Sequence, residues 1–400
     1  MRFLFTTIPG SGHFHPLVPI ARALRGRGHD VSFAASPMFA PAIEAAGFEA
    51  YPAGPAWLER LSDPVMQRIL AGEFFVDLIR MGMVGGVIRA ANSTDADAIV
   101  HGGAELGGLV AGAILDLPVA SVTAAANKAY WPMMRPGVSR AAAEHGLDGE
   151  RVTADDFHML MINRTPASLE SPGYVPPLNE INVRPEPFDD GGELPGWLHG
   201  LGKRPLVYVS LGTVMNGNLP LFRLIADALA DQPYDVVIAL GLGIPPEALG
   251  QVAGNIQVGG FLPQTRILER ASAVVSHGGY NTVTAALGAG VPLFLLPMGA
   301  DQPFNTERCI TAGAALGVIQ PQPPGPPTAA PPPFVPPDSA VIRDGTRRIL
   351  EDPAFRQAAG TIADEIAALP PADYAAERLE QAVAERQRSR RPGEGAAVSA

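Results

Sequence analysis

The stretch VVSHGGYNTVTAALGAGVPLFLLP, residues 274–297, contains an apolar strand, a His-Gly-Gly turn, a helix and a second apolar strand. The same layout occurs in AIVHGGAELGGLVAGAILDLPVASV, residues 98–122. A strand, a helix and a further strand in this order are typical of the βαβ unit of a parallel sheet. The two stretches therefore predict parallel sheets at two places in the chain, each with a turn at the carboxyl end of a strand.

Length and composition indicate a globular protein of two domains. The chain has 400 residues, 47% of them hydrophobic and 17% charged, and a single core seldom grows to this size. No apolar run reaches the roughly 18 residues of a membrane span. The formal charge of -11 argues against a nucleic-acid or anionic-membrane partner. With Cys309 as the only cysteine and no secretory signal at the N-terminus, we expect a cytoplasmic protein.

Alternating strand and helix patterns divide the chain into two α/β halves. The pattern begins at RFLFTTI, residues 2–8, and restarts at PLVYVSLGT, residues 205–213, after a Pro- and Gly-rich passage. We predict two doubly wound, Rossmann-like domains that face each other across a cleft. We predict an N-terminal domain at residues 1–195, a linker at 196–205 and a C-terminal domain at 206–373. A last helix at 374–388 and a disordered tail at 389–400 complete the chain.

Two irregular stretches, residues 56–95 and 125–136, interrupt the N-terminal pattern and resemble insertions over a pocket. For each of their aromatic residues alone, packing against the sheet is the simpler interpretation. Together they are candidates for the apolar lining of a small-molecule site. These candidates are Trp57, Phe74, Phe75, Tyr130 and Trp131.

The residues after each His-Gly-Gly turn distinguish the two copies. A helix that follows such a turn presents free N–H groups and the positive end of its dipole, which stabilise an anion by at most about 2 kcal/mol. The turn at His277 is followed by polar Asn281 and Thr282, whereas the turn at His101 is followed by Glu105, which would repel an anion. We therefore predict a phosphate site at the second turn and expect Glu105 to face the cleft or solvent.

Several motifs occur in one order along the C-terminal half: VSLGT at 209–213, NIQVGGFLPQT at 255–265, HGGYNT at 277–282 and ADQPFN at 300–305. Together they resemble the donor-binding signature of family 1 glycosyltransferases with the GT-B fold, particularly bacterial enzymes that glycosylate macrolides, aromatic polyketides and other antibiotics. GSGHFHP at 10–16 agrees with this resemblance. The resemblance implies a nucleoside diphosphate sugar as donor and a lipophilic small-molecule acceptor bound by the N-terminal domain.

The resemblance also implies roles for individual residues. Phe261 takes the place of an aromatic residue that stacks on the nucleotide base, and Gln264 that of a polar residue near the ribose. Asp301 and Gln302 match a pair that hydrogen-bonds the sugar hydroxyls, with helix N-capping by Asp301 as the alternative. The positions that match the diphosphate surroundings are Ser210, Gly212, Thr213, His277, Gly278, Gly279, Asn281 and Thr282.

Ala285 departs from the pattern of relatives that use UDP-sugars, which often carry a Glu there to bind the ribose hydroxyls. A 2′-deoxyribose offers one hydroxyl fewer to satisfy. The departure therefore favours a dTDP-sugar as donor.

His13 is the candidate catalytic base. A neutral histidine suits removal of a proton from an acceptor hydroxyl near pH 7, and by resemblance His13 holds the position of the base. In many relatives an Asp orients this histidine, but the matching position here is Gly102. We expect Glu105 or a main-chain carbonyl to orient His13, and we interpret His15 as a residue that caps the following helix.

The triplet Asp95-Ala96-Asp97 has the DxD pattern that metal-dependent glycosyltransferases of another fold use to hold a diphosphate. Here it precedes a predicted strand, which puts it at the wrong end of a parallel sheet for a ligand. We interpret it as a solvated turn and expect no metal and no other cofactor.

The predicted function is an inverting transfer of a deoxysugar, with dTDP favoured as carrier, to an acceptor such as a polyketide aglycone. Two alternatives stay open: a nucleotide-sugar epimerase or hydrolase of the same fold, and a non-catalytic auxiliary protein that binds the sugar nucleotide. The sequence also leaves open the sugar, the acceptor atom and whether the chain forms a homodimer. By resemblance, the last helix, from Tyr374 to Arg386, crosses back onto the N-terminal domain.

Overall fold

The computed structural model describes most of the chain. Of the predicted site residues, Trp57, Phe74, Phe75 and Thr213 lie outside the described part. The described residues are 1–55, 79–188, 194–201, 203–212, 218–241, 243–319 and 334–390.

The N-terminal domain is built on a parallel sheet of seven strands. Its strands are β1 Arg2–Thr6, β2 Asp30–Ala35, β3 Glu49–Pro52, β4 Ala98–Gly102, β5 Val119–Thr123, β6 Leu160–Asn163 and β7 Glu180–Asn182. Their order in the sheet is β3-β2-β1-β4-β5-β6-β7, and every pair is parallel. Every residue of β4 and β5 is buried, as expected for strands covered by helices on both faces.

Helices cover both faces of this sheet. They are α1 Ser11–Phe14, α2 Val18–Gly26, α3 Ala40–Ala45, α4 Val84–Thr94, α5 Gly107–Leu115, α6 Ala125–Glu144 and α7 Gly149–Val152. The expectation that residues 125–136 are irregular was wrong, because they form the first part of the long helix α6. Pro132 and Pro136 each remove a backbone donor, but apolar residues such as Met134 and Val138 are buried in the domain core and hold the helix in place.

The C-terminal domain has a second parallel sheet, of six strands. They are β8 Leu206–Ser210, β9 Asp235–Ala239, β10 Ile256–Gly259, β11 Ala273–Ser276, β12 Leu293–Leu295 and β13 Ala315–Gly317. Their order is β10-β9-β8-β11-β12-β13. The structure thus confirms two doubly wound domains.

The remaining helices follow or separate these strands. They are α8 Leu219–Ala228, α9 Gln264–Leu268, α10 Tyr280–Gly288, α11 Gln302–Thr311, α12 Ser339–Glu351, α13 Pro353–Ala368 and α14 Ala372–Arg390. Single turns of other helix types lie at Pro37–Phe39, Ile79–Met83, Ala167–Leu169, Gly196–Gly200 and Pro246–Leu249. None of the helices in the described ranges is both long and apolar enough to cross a membrane.

The last helix, α14, packs on the N-terminal domain. Leu379 and Val383 are fully buried in the N-terminal core. On the surface, the Arg27 guanidinium donates two hydrogen bonds, of 2.8 and 2.7 Å, to the Glu380 carboxylate, which also contacts His29. The helix extends to Arg390, beyond the predicted start of the tail at residue 389.

Candidate functional site

The strand order of each sheet reverses at one place, between β1 and β4 and between β8 and β11. In open parallel sheets, ligands bind in the crevice outside the carboxyl ends of the strands at such a reversal. The turn with His13 follows β1, and the turn with His277 follows β11. The Asn281 side-chain amide donates a hydrogen bond of 3.0 Å to the Gly12 carbonyl, so the two carboxyl edges face each other across the cleft.

The His277 ring lies against the backbone of two glycines. A Cβ at Gly212 would come within 2.7 Å of His277 Nε2, and one at Gly279 would overlap the same atom. Gly212 also has a φ of 81°, which disfavours any side chain. Burial lowers the His277 pKa to about 4, so the ring is neutral at pH 7. Its buried Nδ1 has no hydrogen-bond partner among the described residues, which indicates a place for a ligand atom.

Helix α10 begins directly after this turn. No side chain of its N-cap residue, Gly279, is available to cap it, and Gly278 has a φ of 86° and donates its N–H to Ser276 Oγ at 3.1 Å. One of the first amides of the helix, that of Tyr280, donates to Asp301 Oδ2 at 3.1 Å. The N-terminus of α10 is therefore partly occupied by a carboxylate from the neighbouring loop.

Asp301 and Gln302 lie at the start of α11, facing this N-terminus. The Asp301 carboxylate also accepts a hydrogen bond of 2.7 Å from Asn305 Nδ2, and burial raises its pKa. It does not cap its own helix but accepts from the first amide of α10, which corrects the N-capping alternative. Gln302 Oε1 accepts from the amides of Met298 and Gly299 at 2.8 and 3.2 Å, so this oxygen stabilises the turn before Asp301.

The residues predicted to hold the nucleoside lie at the same edge of the sheet. Phe261 follows β10 and keeps 43% of its surface exposed, which is unusual for a large apolar side chain and leaves a ring face free for stacking. Gln264 is the first residue of α9 and is half-buried. Ala285 is 8% exposed and packs in the C-terminal core, so it presents no polar group to a ribose.

His13 lies in the single turn α1, beyond the carboxyl end of β1. Burial lowers its pKa to about 4, so the ring is in the neutral form that a base requires at pH 7, while its basicity is below that of a free histidine. A Cβ at Gly102 would lie 3.7 Å from the Thr6 carbonyl oxygen and 4.0 Å from that of His13. The position that carries an Asp in many relatives is therefore adjacent to the loop of the base, with space for a side chain.

Glu105 neither faces the cleft nor reaches solvent, and that expectation was wrong. Its side chain is 2% exposed, it accepts a hydrogen bond from the Thr6 hydroxyl, and it accepts others from the amides of Gly107 at 2.6 Å and Gly108 at 3.0 Å. The carboxylate thus caps the N-terminus of α5, where the free amides of the first turn compensate for its burial. Burial raises the pKa of the Glu105 carboxyl. None of the hydrogen bonds of this carboxylate involves His13.

Sequence reasoning missed the partner of His101. His101 Nε2 lies 2.9 Å from His158 Nε2, and His101 Nδ1 lies 3.0 Å from the Gly102 carbonyl oxygen. Burial lowers the pKa of His101 to about 4 and, together with His101, that of His158 to about 3. The neutral pair fixes the end of β4 beneath the cleft. No signal in the sequence links the two residues, because their contact depends on how the loop before β6 packs against the end of β4.

Of the predicted pocket aromatics in the described ranges, Tyr130 faces the C-terminal domain. Its hydroxyl donates to the Ala300 carbonyl at 3.1 Å, and its pKa is raised to about 12 by burial and by the charge of Asp301. Trp131 packs on the core of the N-terminal domain. The structure therefore places Tyr130, but not Trp131, against the loop that carries Asp301.

The DxD triplet lies at the amino ends of β1 and β4, away from the cleft. The Arg2 amide donates to Asp97 Oδ2 at 2.7 Å, and the Arg2 guanidinium lies 3.2 Å from Asp95. In the described part of the chain, no group of three or more His, Cys, Asp or Glu side chains could hold a metal ion.

Comparison with known proteins gives matches over both domains. Residues 223–382 match the family model of the erythromycin biosynthesis protein CIII-like C-terminal domain. The chain is 28% identical to L-demethylnoviosyl transferase of Streptomyces niveus over 403 residues, which covers 95% of this chain and 97% of that protein.

Solved structures share the fold. The structure is similar to that of the glycosyltransferase SnogD from Streptomyces nogalater, with a TM-score of 0.74 and 26% identity over 96% of this chain and 99% of that one. It is also similar to the spinosyn rhamnosyltransferase SpnG complexed with thymidine diphosphate, with a TM-score of 0.77 and 24% identity over 95% and 100% of the two chains. These matches confirm the resemblance that the motifs carry and extend it to both domains.

Proposed function

We propose that this chain, a family 1 glycosyltransferase of the GT-B fold, transfers a deoxysugar from a dTDP-sugar to a hydroxyl of a lipophilic natural product such as a polyketide aglycone. The name of the relative from Streptomyces niveus describes a sugar transferase, and SpnG is by its description a rhamnosyltransferase that binds thymidine diphosphate. Both descriptions support a deoxysugar donor for the present chain.

One observation carries this proposal: the neutral His13 and the N-terminus of α10 face each other across one cleft, joined by the hydrogen bond from Asn281 to Gly12. A base on one wall and an anion-binding helix end on the other are what displacement of a diphosphate by a hydroxyl requires. The reacting groups of donor and acceptor would meet between the two walls.

In the proposed reaction, His13 accepts the proton of the acceptor hydroxyl while the oxygen attacks the anomeric carbon. The bond from that carbon to the diphosphate oxygen breaks in the same step, with inversion at carbon. Negative charge then develops on the leaving diphosphate, where His277 and the free amides at the start of α10 would stabilise it. No step uses a metal ion, so we expect activity to persist in EDTA.

Phe261 and Ala285 support the proposed binding of a dTDP-sugar. The exposed ring of Phe261 offers a stacking face to a base. Ala285 offers no carboxylate to a ribose 2′-hydroxyl, which a UDP-sugar has and a dTDP-sugar lacks. A polar group buried without a partner costs about 1–3 kcal/mol, enough to favour dTDP by about tenfold or more.

The test is a panel of dTDP-sugars and UDP-sugars incubated with polyketide aglycones and analysed by mass spectrometry. We expect a glycosylated product, and a larger shift of the melting temperature with dTDP than with UDP at equal concentration. Consumption of the donor without any acceptor would favour the epimerase or hydrolase alternative. Binding of dTDP with no product from any acceptor would favour the auxiliary protein, and a larger shift with UDP would contradict the assigned nucleotide.

A further inference from the structure

The orientation of His13 lacks a side-chain explanation within the described part of the chain. The Glu105 carboxylate is engaged with Thr6 and the start of α5, and Gly102 carries no side chain. Neither ring nitrogen of His13 has a hydrogen-bond partner among the described residues, so the ring follows the backbone of α1. That turn starts after Gly10, whose φ is 144°, and its N-cap provides no side-chain hydrogen bond.

The backbone of this turn is held from the opposite domain. Asn281 Nδ2 donates to the Gly12 carbonyl, one peptide before His13, at 3.0 Å. The two residues are 269 positions apart in the chain, and Asn281 lies in the first turn of α10. The side chain that the sequence predicts as a phosphate ligand is therefore used, in this structure, to hold the loop of the base.

A second contact from the same helical turn also reaches the N-terminal domain. The hydroxyl of Tyr280, the residue before Asn281, donates to the Arg164 carbonyl of the N-terminal domain and lies 3.5 Å from Thr165 Oγ1. Thr165 Oγ1 in turn accepts from the Ala125 amide, at the start of α6, at 2.8 Å. Two consecutive side chains thus attach the start of α10 to the N-terminal domain at two separate points.

We propose that Asn281 is a positioning residue for His13, which replaces the absent acid by holding the Gly12 carbonyl from the donor-binding domain. This inference rests on the proposed function, in which His13 is the base and α10 binds the diphosphate. Its consequence is that the base is correctly placed only when the two domains are closed. Closure over a donor would then complete the catalytic arrangement, which would limit loss of the donor to water.

The experiment compares Asn281→Ala with wild type and with Asn92→Ala, a matched change of an exposed asparagine on α4. Three quantities are measured: the dissociation constant for dTDP by calorimetry, kcat and KM for the acceptor, and hydrogen exchange of residues 9–17 by mass spectrometry. For Asn281→Ala we expect kcat to fall about ten- to hundredfold, as for a misplaced catalytic group, with the dTDP constant within about threefold of wild type. Exchange in residues 9–17 should rise. Asn92→Ala should change none of these values.

Two results would overturn the inference. One is unchanged exchange in residues 9–17, which would mean that the hydrogen bond does not hold the loop. The other is a loss of dTDP affinity as large as the loss of kcat/KM, which would make Asn281 a direct phosphate ligand. If wild type binds neither dTDP nor UDP, the proposed function fails, and the exchange experiment still reports on the contact between the domains. Tyr280→Phe, which keeps the ring but removes the hydroxyl, shows whether the second contact contributes.

Discussion

The two His-Gly-Gly sequences differ in their backbone: His101 and Gly102 end strand β4, five residues before α5 begins, whereas His277 follows strand β11 and α10 begins three residues later. At His101, the turn is closed by the protein itself: the ring pairs with His158, and the Glu105 carboxylate occupies the amides at the start of α5. At His277, a buried ring nitrogen has no partner among the described residues, and the start of α10 is only partly occupied, by Asp301. The comparison shows that the protein itself occupies the helix start after His101 but only partly occupies the one after His277, and we predict that a ligand binds only at the second.

The largest expected effect concerns His13, which lies at the carboxyl edge of the N-terminal sheet. Replacing His13 by Ala removes the proposed base and should lower kcat by about 10²- to 10⁴-fold, measured with a productive donor and acceptor pair. His145→Ala, which changes an exposed histidine at the end of α6, is the matched control and should leave kcat unchanged. A loss of less than twofold for His13→Ala would exclude this residue from the mechanism and leave the N-terminal edge without a catalytic group.

The next prediction tests whether the turn at His277 binds the diphosphate of the donor. His277→Ala should weaken dTDP binding about ten- to hundredfold, because a donor to the diphosphate is lost from a site where it is largely desolvated. The free energy of unfolding without nucleotide should fall as well, by about 1–3 kcal/mol, because the ring packs against Gly212 and Gly279 and hydrogen-bonds the Ser210 backbone. Calorimetry and urea denaturation measure the two quantities. Unchanged dTDP affinity would remove the distinction between the turns.

A substitution after the turn at His101 should have the opposite pattern of effects, with a loss of stability and no loss of dTDP affinity. Glu105→Gln exchanges a buried carboxylate for an amide whose NH₂ group faces the amides of Gly107 and Gly108 or the Thr6 hydroxyl. We expect a loss of about 1–3 kcal/mol in the free energy of unfolding, with dTDP affinity unchanged. If the variant is as stable as wild type but binds dTDP more weakly, Glu105 belongs to the site and not to the helix cap.

A further prediction concerns the pH dependence of stability that the histidine pair adds. The pKa values of His101 and His158 in the folded protein are about 4 and about 3, below the value of about 6.5 in an unfolded chain. Their contribution to stability is therefore complete above pH 6.5 and is lost as the pH falls toward 4, because protons bind the unfolded state more tightly. His158→Gln should flatten the stability profile between pH 6.5 and 4. A parallel profile for both proteins would contradict the pKa values.

Much of the C-terminal half could be predicted from the sequence, because its strands are short apolar runs that end in glycines and polar turns. The N-terminal half was less accessible. The four-residue strand β6 and the three-residue strand β7 are too short for a pattern to be recognised. The prolines at 132 and 136 argued against a helix where α6 lies. The residues of the donor edge were found through spaced motifs. The contacts from Asn281 to Gly12 and from His101 to His158 depend on the packing of distant segments, which no local pattern records.

The return of α14 to the N-terminal domain has a consequence for biosynthesis. The core of the first domain contains Leu379 and Val383, residues that follow the whole second domain along the chain. The domain that emerges first therefore keeps an apolar surface beside α2 uncovered while the whole second domain is synthesised. Its folding is therefore completed only once α14 is available, so a chain that ends between the second domain and α14 would leave the first domain with part of its core uncovered.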